Sequence, residues 1–405
     1  MSDAARPSPW RRRFKRGAIG CGIAVPVLVL ALWFAVHTFP SVGPAIADGL
    51  RWAIGPERVS RLEDFVYGVE DSFNQWWRAD EAPKAYWEVP TTTATTSAPV
   101  SGSAAPDRPQ LPPFAPSDVG PVHKGIAAKG DGVWVPVVDP ARPGAPVAVK
   151  KTLVHPDAKR PWAELFVIAV DLRAIELHLV AGTAEPKATT REGRGYQRTG
   201  VIPAKHHDAL FIAFNGGFKM THGRWGMRID DVTLLPPRRH GCAVLKLAEA
   251  ELQIHPYMGT DEDEKLLSKA EWWRQTPPCM FHEGKRHGGL WDPDSKNWGA
   301  ALGGDTVIRR SAIGLDDARK ILFMGVSNHT AAQVMANGMH HVGASDVAQL
   351  DVNWSFPKIV IFRRSGGTPV GEPLFQGFKV EEGEYISEAS PRDFFYLTRR
   401  ELGDG

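Results

Sequence analysis

Three stretches of the chain place polar, chemistry-bearing side chains directly beside apolar runs. The first is "ALFIAFNGGFKM" (209–220), where an apolar strand runs into Asn215, Gly216 and Gly217. Paired glycines after a buried strand allow a positive φ or a close approach of the backbone to another group. The second is "GGDTVIRRSAIGLDD" (303–317). Strand alternation puts Arg309 and Ser311 on one face and Arg310 and Ala312 on the other. A cation beside a hydroxyl suits an oxyanion such as phosphate. The third is "QLDVNWSF" (349–356). A strand ends in Asp351, and Asn353, Trp354 and Ser355 follow before a second apolar run starts at Lys358. A tight hairpin there would use Asn-Gly or Asp-Gly. A carboxylate reached through buried residues is partly desolvated and suited to base or nucleophile work.

Other motifs fail on spacing. In "FHEGKRH" (281–287), His282 and His287 are five apart with a glycine between, which takes them off the single helix face that a zinc-protease pair needs. "DPDSKNWGAALGG" (292–304) lacks the later ligands and the sixth-position glycine of a calcium loop. Ser355 and Lys358 match S-x-x-K in letters only, because Pro357 opposes the helical turn that this dyad requires. No cofactor fingerprint is present. Asp305 together with Asp351 leaves room for a divalent cation, but no metal-ligand constellation emerges.

Residues 17–39, "GAIGCGIAVPVLVLALWFAVHTF", contain no Asp, Glu, Lys or Arg, and five basic residues lie between Arg11 and Arg16. The run is long enough to cross roughly 30 Å of hydrocarbon. It predicts a signal anchor with residues 1–16 inside the cell and the rest periplasmic or extracellular. Residues 40–89 predict an amphipathic helical segment with Leu62, Phe65, Val66, Val69 and Phe73 on one stripe. Residues 90–121 are rich in Pro, Thr, Ser and Ala and predict a disordered stalk.

From 122 to 400 short apolar runs alternate with Gly and Pro. Strand-like runs cover 163–172, 175–182, 209–215, 242–247, 321–326 and 358–362. Helices are expected from Thr260 to about Trp273, after a capping-box pattern, and over 330–342. The expected fold is α+β, a mixed β-sheet with packed helices. Cys242 and Cys279 are either a disulfide or two buried thiols, since spacing does not decide between them. A net charge of +2 and the lack of long basic clusters argue against nucleic acid as a partner.

Taken in order, "NGGFK" (215–219), "RRSAIGL" (309–315), the helix over 330–342 and "LDVNWSF" (350–356) resemble the phosphodiester glycosidase family. Its members show NGGFF, then R-x-(A/G)-(I/V)-G, a helix, and LDGGGSS. The resemblance covers roughly residues 165–365. It implies hydrolysis of a sugar-1-phosphodiester in cell-envelope or exported glycans, with Asp351, Arg310 and Asn215 as catalytic residues. Substrate would be held by Gly216, Gly217, Arg309, Ser311, His329, Asn353, Trp354 and Ser355. The family's glycines after the Asp are here Val352, Asn353 and Trp354. That departure leaves a second expectation, a non-catalytic glycan-binding or polysaccharide-assembly protein of the envelope.

Overall fold

The computed structural model describes residues 46, 49–50, 53–89, 112–292, 295, 297–299 and 306–400. The chain divides into two compact units, Met1–Ser60 and Arg61–Gly405. Four α-helices are described: α1 (Pro56–Trp77), α2 (Arg191–Gly195), α3 (Asp261–Lys269) and α4 (Ala332–His341).

The second unit is built on three sheets. The first runs in the order β1 (Val135–Pro136), β2 (Val149–Val154), β3 (Leu165–Asp171), β14 (Ile321–Thr330), β13 (Ile308–Leu315), β15 (Asp346–Val352), β11 (Phe281–His282), β12 (Lys285–Arg286). The second runs β7 (Val232–Leu235), β6 (Met227–Ile229), β10 (Trp272–Thr276), β8 (Gly241–Lys246), β9 (Leu252–Tyr257). The third runs β17 (Thr368–Pro373), β16 (Ile359–Ser365), β5 (Leu210–Asn215), β18 (Phe394–Arg399), β4 (Ile175–Val180).

The main core cluster lies between the inner face of the first sheet (Phe166, Ile168, Ile313, Met324, Leu350) and residues of the other two (Phe211, Phe214, Met227, Val244, Phe395). On the outer face of the first sheet, Leu165, Val167, Ala312 and Phe323 pack on Met335, Ala336 and Met339 of α4. With both faces covered, β3 is buried along its whole length, so it reads as a continuous apolar run rather than an alternating one.

This architecture corrects the expected fold class. Every pairing between the named strands is antiparallel, so there is no mixed sheet among the described residues. The fold is mostly β, with few helices. Short links account for the hairpin pairs such as β6–β7, β8–β9, β13–β14 and β16–β17, because a parallel crossover needs a dozen or more residues. Gly366 and Gly367, both at positive φ, turn β16 into β17 in two residues. The helix expected to reach Trp273 stops at Lys269, and Trp272–Thr276 is a strand. Its start is as expected: Thr260 and Asp263 exchange capping-box hydrogen bonds.

The expected membrane helix at 17–39 lies outside the described residues, and among those described no helix is long and apolar enough to cross a membrane. Residues 90–111 of the expected stalk also lie outside them. Residues 112–121 are anchored to the first sheet at a few points. Phe114 is buried with Trp134 and Phe323, and the Asp118 carboxylate accepts from the Trp134 amide at 2.8 Å. Cys242 and Cys279 form a disulfide, which ties β8 to the segment before β11.

Candidate functional site

The site begins with two irregularities flanking β13. Ile308 pairs with Thr330 and Arg310 with Ser327, so Asn328 and His329 together face Arg309. On the other side Arg310 pairs with Val352 and Ala312 with Gln349, so Leu350 and Asp351 together face Ser311. Each is a β-bulge, a device that re-aims a side chain and bends the strand locally. Strict alternation would send Asp351 the same way as Gln349, whose side chain faces Arg310 and Trp298. The bulge turns Asp351 toward the third sheet instead.

There it joins a closed network. Asn215, at the end of β5, donates from Nδ2 to Ser311 Oγ (2.8 Å) and to the Gly216 carbonyl (3.1 Å). Ser311 Oγ donates to the Asp351 carbonyl at 3.1 Å, and the Asp351 amide donates to the Gly216 carbonyl at 3.1 Å. The amide of Lys358 donates to Asn215 Oδ1 at 3.3 Å. Three segments far apart in sequence are thereby stitched together where the first and third sheets meet. Asn215, Ser311 and Asp351 are 3%, 1% and 3% exposed, so these polar groups must satisfy one another.

The Asp351 carboxylate is held by two partners. Arg392 Nη2 lies 2.9 Å from Oδ2, and Asn353 Nδ2 donates to the same oxygen at 2.7 Å. Among the described residues no donor is recorded at Oδ1. Arg392 also donates to the Gly217 carbonyl at 2.9 Å and lies 4.9 Å from the Phe356 ring centroid. Its Nε is buried and, among the described residues, has no hydrogen-bond partner.

Behind Arg392 lies a second, fully buried ion pair. Arg274 meets Asp393 through Nε–Oδ2 at 2.8 Å and Nη2–Oδ1 at 3.2 Å. Burial pushes the Asp393 carboxyl up, but the charge and hydrogen bonds of Arg274, the Gly217 amide and the charge of Arg392 outweigh it. The net shift is downward. The Gly216 and Gly217 amides donate to the Asp393 carbonyl (3.0 Å) and to Asp393 Oδ2 (2.8 Å). The amides expected to hold a ligand therefore hold Asp393. The glycines are needed for close approach and not for positive φ. A Cβ on Gly216 would run into Asp393, and one on Gly217 would stand 2.9 Å from the Arg274 guanidinium carbon.

The two adjacent arginines separate as alternation requires. Arg310 points to the α4 side and is fully buried. It donates to the carbonyls of Thr330 (2.9 Å), Trp298 (2.5 Å) and Thr306 (2.8 Å) and to Gln349 Oε1 (3.2 Å). Burial brings its guanidinium down to about 9. Its donors brace backbone on the face away from Ser311, so the geometry does not join Arg310 to Asn215 and Asp351. Arg309 faces the other way. It donates to Asn328 Oδ1 (2.8 Å) and to the carbonyls of Trp354 (2.7 Å) and Gly377 (3.1 Å), and lies over Phe378 at 4.7 Å. Burial brings it down to about 10, so it stays charged at neutral pH.

The partly exposed rim is formed by the 353–356 loop and His329. Asn353 Oδ1 accepts from the amides of Ser355 (2.9 Å) and Phe356 (2.7 Å), which sets the loop as an Asx turn. The Trp354 ring meets His329 edge-on at 5.3 Å between centroids, and Arg309 is 5.6 Å from it. Burial, then the nearby charges of Arg78 and Arg309, bring His329 down to about 4, so at neutral pH its imidazole is uncharged. Lys358 pairs with both Glu384 oxygens at 2.9 and 3.0 Å, consistent with rejecting the Ser355–Lys358 dyad. Asp305 lies outside the described residues, and among those described no group of three His, Cys, Asp or Glu is arranged for a metal ion.

Sequence reasoning did not find Arg392, Asp393 or Arg274. A charged pair in "SPRDFF", directly before the apolar strand 394–399, was the available signal.

The chain matches no family model and no curated protein. Among solved structures it is similar to the catalytic domain of zebrafish N-acetylglucosamine-1-phosphodiester alpha-N-acetylglucosaminidase, auto-inhibited by its pro-peptide. The identity is 12% and the TM-score 0.40, over 66% of this chain and 88% of that one. It is also similar to a hypothetical protein from Synechocystis, at 10% identity and a TM-score of 0.35, over 64% of this chain and 65% of that one. These values describe a distant likeness of fold, and no residue's role here is taken from them.

Proposed function

We propose that this chain is a hydrolase of sugar-1-phosphodiesters, with Asp351 as the working carboxylate. The observation that carries the reading is the bulge-directed Asp351. One of its oxygens is clamped by Arg392 and Asn353, and the other takes no hydrogen bond among the described residues. The group is thus fixed in orientation yet keeps an oxygen for a water or for charge developing at an anomeric carbon. A phosphomonoester is a good leaving group, so strong acid assistance is less critical than in an ordinary glycosidase. In this reading water attacks the anomeric carbon, Asp351 takes its proton or stabilises the oxocarbenium-like charge, and the sugar–oxygen bond breaks. Arg309 is the cation on the rim side and binds the phosphate, while Trp354 offers a face for the sugar. Asn215 and Ser311 position Asp351 through its backbone.

One observation favours a second reading, a glycan-binding protein without turnover. The Asn353 amide occupies Asp351 Oδ2 where the resemblance leads one to expect glycine. Incubating the purified protein with a sugar-1-phosphodiester and following free sugar and phosphomonoester separates the two. Turnover that is lost in Asp351→Asn supports the hydrolase. Saturable glycan binding without product, in wild type and variant alike, supports the binding protein.

A further inference from the structure

From Arg61 onward, α1 is amphipathic with its polarity reversed. Asp64 and Asp71 of α1, and Arg78 directly after it, seven apart, face the 157–162 loop and Thr306. Asp71 takes a bidentate pair from Arg160 at 2.7 and 2.5 Å, and Arg160 also pairs with Asp157 at 2.7 Å. Thr306 donates to Asp64 at 3.2 Å, and Arg78 lies 5.3 Å from the Trp162 ring centroid. The opposite stripe is Leu62, Val66, Val69, Phe73 and Trp76, flanked by Phe65 and Trp77. All are exposed, with Phe65, Trp76 and Trp77 at 69%, 71% and 70%. Phe73, Trp76 and Trp77 form an aromatic cluster at the end of the helix, with ring centroids 5.9–6.2 Å apart. A soluble domain ordinarily turns such a stripe inward, and a contiguous exposed patch of this kind marks an interaction surface.

We propose that this face of α1 lies in the interface of a lipid bilayer. Three features select lipid over a second copy of the chain. First, the stripe ends in tryptophans, which favour the boundary between headgroups and acyl chains. Second, the seam is flanked by Glu63 and Glu70 on one side and by Arg58, Phe65 and Ser72 on the other, so a parallel pair of helices would gain only an Arg58–Glu63 bridge and charge does little to favour a second copy. Third, the sequence upstream of α1 holds the apolar run 17–39, with sixteen residues between its end and Pro56, a short tether to any apolar phase that run enters. Acidic residues outnumber basic ones in α1, so the attraction is apolar and does not depend on anionic lipid. This inference stands apart from the hydrolase reading.

The test uses the full chain with Cys21→Ser and a single environment-sensitive fluorophore on Val69→Cys, in the stripe, or on Gln75→Cys, off it. Phosphatidylcholine vesicles should blue-shift and brighten the probe at position 69, and nitroxides on the lipid chains should quench it. The probe at 75 should not respond. Adding Trp76→Ser and Trp77→Ser should lower the inserted-to-free ratio about tenfold or more. The proposal is overturned if position 69 does not respond to vesicles or if both positions respond alike. It is also overturned if position 69 becomes shielded with rising protein concentration in the absence of lipid, which would assign the face to a second copy.

Discussion

Replacing Arg274 with Met should unfold this protein far more readily than replacing its partner Asp393 with Asn. Arg274→Met removes the ion-pair partner of a fully buried carboxylate, which then keeps the Gly217 amide on Oδ2 and the nearby charge of Arg392. It also strips donors from four carbonyls, those of Phe218 (2.6 Å), Trp225 (2.9 Å), Gln275 (2.8 Å) and Gly226 (3.4 Å). Breaking a buried pair from one side costs roughly 3–5 kcal/mol, and the stranded carbonyls place this variant at the upper end. In Asp393→Asn the guanidinium keeps those carbonyls and the Asn oxygen still accepts from Gly217, so about 2–3 kcal/mol is expected. In the double variant no buried charge is left alone. Its cost should fall short of the sum by at least about 2 kcal/mol. Urea unfolding followed by tryptophan fluorescence measures all three. Single variants costing under about 1 kcal/mol, or a double variant equal to the sum, would show that Arg274 and Asp393 are not coupled as a buried pair. Asp393 also carries a sign. Its carboxyl is depressed in the folded state, so its contribution is present above the unfolded carboxylate value and lost as pH falls through the folded one.

Gly217→Ala sets a methyl against a guanidinium that cannot move, and it should cost about 1–3 kcal/mol by thermal or urea unfolding. Gly216→Ala, which meets Asp393 backbone as well as side chain, should cost more. Opening the Cys242–Cys279 bridge, which spans 37 positions, should lower stability by up to about 4 kcal/mol, read as the shift in urea midpoint with reductant or in Cys242→Ala/Cys279→Ala. Asp346 holds His282 above the ordinary imidazole value. Stability from that pair is full below the unfolded value and lost as pH rises through the raised one. The melting-temperature gap between wild type and His282→Gln should therefore shrink from about pH 5.5 to about pH 8.5.

Much of the site's inner frame was legible in the sequence. Asn215, Ser311 and Asp351 sit at strand positions that alternation and motif order single out, and they do meet. Alternation also separates Arg309 from Arg310, but which face fronts the third sheet depends on the packing of whole sheets, and that has no local signal. The bulge that re-aims Asp351 is equally invisible, because it exists only as an offset between two strands. Arg392, Asp393 and Arg274 escaped for a related reason. Their bonds to Gly217 and to each other span 175, 176 and 119 residues, beyond any spacing rule. Fold class was misjudged because an apolar run identifies a strand but not the direction of its neighbour. The link lengths between runs, several of them two to five residues, were the better guide.

The proposed role of Asp351 as a working carboxylate is tested by the rate of free-sugar release from a sugar-1-phosphodiester by wild type and by Asp351→Asn. Turnover by the wild type is expected, with a loss of about a hundredfold or more in kcat in the variant, and the unfolding midpoint measured alongside recognises a folding defect. A folded Asp351→Asn protein that releases sugar at the wild-type rate would contradict that role. So would a wild type that binds the substrate and never cleaves it.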